Sequence, residues 1–109
     1  MTYDDELADR VRMVLDGEAG ISEKRMFGGL AFLSEGKLAV AASSRGGLMV
    51  RVDPAETDTL VARPHVERFV MKGREMDGWL RVSPTALDQP EALEDWVIRG
   101  LSFARTLPS

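Results

Sequence analysis

The chain contains no cysteine and one histidine. That composition removes disulfides, thiol catalysis and thiolate metal sites, and leaves any transition-metal site to carboxylates. An absence of thiols also fits a reducing compartment. No apolar run approaches the ~20 residues that span a bilayer. The first residues, Met1, Thr2, Tyr3, Asp4, Asp5 and Glu6, are acidic where a secretion signal is basic and then apolar, so we expect a cytoplasmic protein. Neither GxxxxGK[ST] nor GxGxxG occurs, and no repeat, low-complexity tract or interdomain linker is present. Nothing nominates a bound group, and the expectation is no cofactor and no metal.

What is there is globular. Hydrophobic residues make up 44% of the 109 positions and charged residues 29%, enough for one core and one domain over residues 1–109. The net charge of −4 is unevenly spread: residues 1–23 sum to −5, residues 24–82 to +3 and residues 83–109 to −2. A negative total disfavours long-range attraction to nucleic acid, while a basic face can still meet an acidic partner locally.

Thr2 and Asp5 have the spacing of a capping pair, and Leu7, Val11, Val14 and Leu15 then recur at helical spacing, predicting a helix over residues 4–16. Residues 30–34 and 37–42 predict two strands around a tight turn at Glu35 and Gly36. A second turn at 43–47 leads to a strand in which Leu48, Val50 and Val52 alternate with Met49 and Arg51. Asp53, Pro54, Ala55 and Glu56 form a helix start with an Asp cap and Pro in the first turn, and Pro64 closes that helix. Residues 68–72 and 79–82 are the remaining strands, with Gly73 and Gly78 as turn residues and Arg74 and Glu75 at the hairpin tip. Pro90 opens a last helix in which Leu93, Trp96, Val97, Leu101 and Ala104 share a face.

The resulting order is α-β-β-β-α-β-β-α. We expect an α+β, two-layer fold with a mostly antiparallel five-stranded sheet and helices on one face. Leu7, Val11, Val14, Trp96, Val97 and Leu101 should lie between the layers. Two segments carry a family resemblance: Met26, Phe27, Gly28 and Gly29, following Lys24 and Arg25, and then Gly73, Arg74, Met76, Gly78 and Trp79. Together they resemble the N-terminal domain of the TfoX/Sxy competence regulators, over nearly the whole chain. The resemblance implies the fold of that family, shared with type III secretion chaperones, and a role beside a transcription activator of the cyclic-AMP receptor type. Two-domain members add a helical C-terminal domain; with the sequence reaching Ser109, we expect a free-standing version of the N-terminal domain.

The residues themselves point away from chemistry. His65 stands between Pro64 and Val66 at a helix exit, and reads as a surface loop histidine. Gly28 and Gly29 lead into a strand, not a helix N-terminus, so a bulge or close backbone crossing explains them better than a phosphate cradle. Strand alternation, with Leu38, Val40, Leu48, Val50, Leu80 and Val82 toward the helices, sends Lys37, Ala39, Ala41, Met49, Arg51, Trp79 and Arg81 to the other face. Lys37, Met49, Arg51, Trp79 and Arg81 are therefore the candidate partner-binding residues, because Trp and Arg concentrate binding energy. That face looks too apolar to stay idle, and we expect it to be covered by a second copy in a homodimer or by another protein. A non-enzymatic binding or regulatory module follows, with direct nucleic-acid binding through the basic middle segment as the alternative and a small-molecule enzyme behind both.

Overall fold

Apolar spacing in three segments and alternation in five others drive the chain into two layers. A computed structural model describes residues 4–26 and 28–107. Helix α1 spans Asp5–Leu15, strands β1 to β4 follow as Ile21–Met26, Gly29–Ser34, Lys37–Ala42 and Leu48–Arg51, and α2 is Thr57–Val61. Strands β5, Val66–Met71, and β6, Arg74–Val82, precede α3, Pro90–Ala104. The sheet has six strands in the order β1-β2-β3-β4-β6-β5, with every neighbouring pair antiparallel.

The sixth strand is β1, absent from the five-stranded expectation. Its sequence ISEKRM lies at the sheet edge with only Ile21 and Met26 half-buried. The four residues between them are exposed, and an edge strand that buries so little shows no alternation to read. The β5–β6 hairpin is also longer than expected. Lys72 and Gly73 form its turn, with φ of 53° and 78°, so Arg74 and Glu75 lie within β6 and not at a tip.

Local signals set the helix starts. Asp4 caps α1 by accepting from the backbone N–H groups of Glu6 at 2.9 Å and Leu7 at 3.2 Å, satisfying donors that a helix leaves unpaired. The cap is one residue before the expected Asp5 partner, and Thr2 lies outside the described residues. Asp53 accepts from Ala55 N at 2.9 Å and starts a 3₁₀ turn, Pro54–Glu56, that runs into α2.

Leu7 and Val11 of α1, Leu60 of α2, and Leu93, Trp96, Val97 and Leu101 of α3 are buried against Val40, Val50, Leu80 and Val82 of the sheet. Val14 is only half-buried against that core. Helix α3 crosses β3 at very close range. A Cβ on Gly100 would lie 2.6 Å from Ala39 O and 2.8 Å from Val40 Cγ1, so only glycine permits the approach.

Candidate functional site

Two bulges decide which side chains share the helix-free face. On β3 the register steps from Phe32↔Val40 to Leu33↔Leu38, leaving Ala39 unpaired. One extra residue inverts the alternation before it. Leu38 consequently belongs to the helix-free face and Ala39 to the helix-covered core, the reverse of strict alternation. Lys37 moves with them. It pairs with Ser34, and its Nζ donates to Leu107 O at 2.7 Å, just beyond α3. The helix layer thus takes one of the five residues that the alternation had assigned to the opposite face.

The other four come together as expected. Register places Met49 opposite Arg81 and Arg51 opposite Trp79, with Glu67 beyond Arg81 on β5. The Arg51 guanidinium lies 4.7 Å from the Trp79 ring centroid and 6.0 Å from that of Phe103 on α3, a cation held against aromatic faces. Arg81 donates from Nη2 to Arg45 O at 3.1 Å, which ties β6 to the β3–β4 loop.

The apolar centre of this face is covered by the chain's own residues, against the expectation that a second molecule must hide it. Met49 is 3% exposed and Ala41 4%. With Ala31, Leu33 and Leu38 they form a second cluster, overlaid by Met26, Phe69 and Trp79. Met26 is on one edge strand and Phe69 on the other, yet both line one cavity of about 20 Å³ with Met49. The sheet is curled so that side chains from both of its edge strands reach the cluster at its middle. The second bulge supports that curl: β6 pairs Met76 with Phe69 and Leu80 with Arg68, so three residues, Asp77, Gly78 and Trp79, separate positions that are adjacent on β5.

Gly78 holds the bend. Its φ is +85°, a region that side chains strain, its carbonyl accepts from Val52 N at 2.9 Å, and its N–H donates to the buried Thr57 Oγ1 at 2.8 Å. Thr57 was not foreseen, because nothing in the local pattern marks a threonine at the head of a short helix as an anchor for a distant strand. At the other motif, a Cβ on Gly29 would collide with the carbonyl oxygen of Ala42, the close backbone crossing anticipated there. Gly28 precedes it with φ +76°, and Phe27 lies outside the described residues. Gly73 sits in the β5–β6 turn, Arg74 is exposed, and Met76 is half-buried opposite Phe69. The motif glycines and methionines thus build the curled sheet. Arg74 and the Arg51–Trp79 pair are what they leave facing solvent.

Most ion pairs lie on the helix side. Among the described residues Arg12 pairs with Asp9 and Glu23, Arg63 with Asp95, Arg99 with Glu56 and Arg105 with Glu18, while Arg68 of β5 pairs with Asp58 of α2 and with Asp77 of β6. The fork from Arg12 to Glu23, at 2.7 and 2.9 Å, holds the Glu23 carboxyl below the usual carboxylate range and raises the guanidinium in turn. Hydrogen bonding to Asp77, with the nearby charge of Asp58, likewise raises Arg68. Arg45, Arg51, Lys72, Arg74 and Arg81 have no carboxylate within salt-bridge distance among the described residues.

His65 is exposed with φ 64°, and its carbonyl accepts from Ser83 N. Among the described residues no three of His, Asp and Glu group as a metal would need, and no helix is long and apolar enough to cross a membrane. No curated protein and no solved structure gives a significant match to the chain. The family model of the TfoX N-terminal domain matches residues 14–104, a span that runs from α1 to the end of α3 and includes both bulges, the Gly29 crossing and the Arg51–Trp79 pair. The chain belongs to the TfoX N-terminal domain family.

Proposed function

We propose that this protein is a non-enzymatic binding and regulatory module that acts through protein–protein contacts in transcriptional regulation of the competence type. Family membership points to a regulatory or competence-related role. The contact surface is the helix-free face, where Arg51 lies over Trp79, Arg81 is held to Arg45, and Arg74 is exposed at the β5–β6 hairpin. One observation supports this reading above others: the cations of that face lack carboxylate partners among the described residues, while Arg12, Arg63, Arg99 and Arg105 on the helices and their ends are paired. A face that stays cationic in a chain of net charge −4 is suited to an acidic partner, with Trp79 and Arg51 as the anchor pair.

Affinity capture of the tagged protein from its own cells, with transcript levels measured in its absence, tests the proposal. Recovery of a transcription regulator and a change in a defined gene set are the expected results. Capture of no protein, together with unchanged transcripts, would sink it. The same cations favour a second reading, direct contact with nucleic acid, which a steep fall of duplex binding with salt would distinguish.

A further inference from the structure

The helix-free face carries a trough beside its curled apolar centre. One bay, of about 430 Å³, is walled by residues 67–72 of β5 and its turn on one side and by Ser43, Ser44 and Arg45 of the β3–β4 loop on the other, with Arg81 between them. A second bay, of about 390 Å³, shares Arg81 and Glu67 and continues toward His65 and Ser83. The two form a channel along the outermost strand of the sheet. Four cations line it, against one carboxylate, Glu67; Arg68 is engaged by Asp58 and Asp77, which leaves Arg45, Lys72 and Arg81. None of these three cations has an ion-pair partner among the described residues. Its β5 wall is partly apolar, with Phe69 and Met71 half-buried and Val70 56% exposed.

We propose that this trough takes an extended acidic segment of a partner protein, lying along β5 with carboxylates on Arg81, Arg45 and Lys72 and apolar side chains against Val70 and Met71. The inference rests on the protein–protein reading above and names the surface and the chemistry of the partner. The length of the channel suits an extended chain, since six consecutive residues of β5 and its turn form one wall, and an edge strand has open backbone groups for such a guest. Protein is favoured over nucleic acid on charge density. Duplex DNA carries a phosphate charge about every 1.7 Å, which three unpaired cations interrupted by Glu67 match poorly. An acidic peptide places few charges and uses the apolar wall.

A labelled synthetic peptide of alternating Glu and Val, its Gln/Val counterpart and a single-stranded oligonucleotide are titrated against the full chain, with anisotropy and amide NMR shifts as readouts. The expected result is that the Glu peptide binds, shifts the amides of Ser44, Val70, Lys72 and Arg81, and weakens about tenfold or more in Arg45→Glu/Arg81→Glu. Arg63→Glu, on the helix side, should leave binding unchanged, and Arg81→Gln provides the milder variant if the double one melts early. Absence of binding, equal binding of the Gln peptide, shifts confined to the helices, or tighter binding of the oligonucleotide through the same amides overturns the proposal. Capture separates this from the parent reading. A partner retained equally by wild type and double variant refutes the trough alone, whereas no partner for the wild type refutes the protein–protein role.

Discussion

Two glycines of the same motif do different work, and substitution separates them. Gly78 has φ +85°, and an added Cβ would sit 3.1 Å from Pro54 Cγ and 3.2 Å from Val52 O. Gly78→Ala therefore meets both backbone strain and crowding, and should cost about 1 to 3 kcal/mol. Gly73, with φ +78° and nothing within 4 Å of an added Cβ, should accept Asn at little cost because Asn tolerates this region. Urea unfolding with unchanged m-value checks both, and equal costs at the two positions would contradict the account of the bend. Glu23 offers a pH test. Arg12 lowers its pKa in the folded state, so its contribution is present above the unfolded carboxylate value and is lost as pH falls through the folded one. The stability difference between wild type and Glu23→Gln should be largest near neutrality and vanish in acid. The pair is solvent-exposed, so the difference should be about 1 kcal/mol or less and shrink with salt. A difference that persists at low pH would assign it to another cause.

At the level of elements, α3 ties the fold together. Trp96 is 4% exposed within the main cluster, with Arg63 and Arg99 at 5.4 and 5.8 Å from its ring. Trp96→Ala should cost ~3 to 5 kcal/mol, a large share of a small domain's stability, and leave the protein mostly unfolded near body temperature by circular dichroism. Retention of the wild-type melting temperature would refute the packing. The β3 bulge is as consequential. Deletion of Ala39 removes the extra residue and leaves Leu33↔Leu38 and Ser34↔Lys37 in their observed register, so Leu38 stays on the helix-free face. The deletion should therefore keep cooperative unfolding in urea, at a stability lowered by the lost Ala39 packing, and loss of cooperativity would contradict this register. The bulge was illegible in sequence because KLAVAA alternates equally well in either phase when its small and large residues are all apolar, and only the approach of Gly100 marks Ala39 as the extra position.

For the whole molecule, the decisive property is the group of cations on the sheet, Arg45, Arg51, Lys72, Arg74 and Arg81, that have no ion-pair partner among the described residues. Any partner engaged through Arg45 and Arg81 should associate more slowly at high salt, with the faster dissociation of the double variant adding to the loss. Stopped-flow measurement at two ionic strengths checks this, and a salt-independent association rate would rule out steering by this face. The positive middle of the chain and its acidic ends announced the imbalance. They did not say that the acidic ends would fold onto the helices and keep their partners there, since that depends on which segments form the second layer.

Much of the architecture was written in local pattern. Helical spacing of Leu7 and Val11, the cap at Asp53, Pro90 at the first position of α3, the turn at Glu35 and Gly36, and the alternation of Leu48 and Val50 set the order of elements and the buried face of each helix, because these are properties of residues within one or two turns of each other. The pairing of β1, the inversion at Ala39, the bend at Gly78 on Thr57, and the packing of both Met26 and Phe69 on the Met49 cluster involve residues far apart in the chain. Each is settled by backbone closure across the sheet, where one unpaired residue changes which face its neighbours occupy. The family motif was visible from the start, but its physical meaning came only from the curled sheet that its glycines allow.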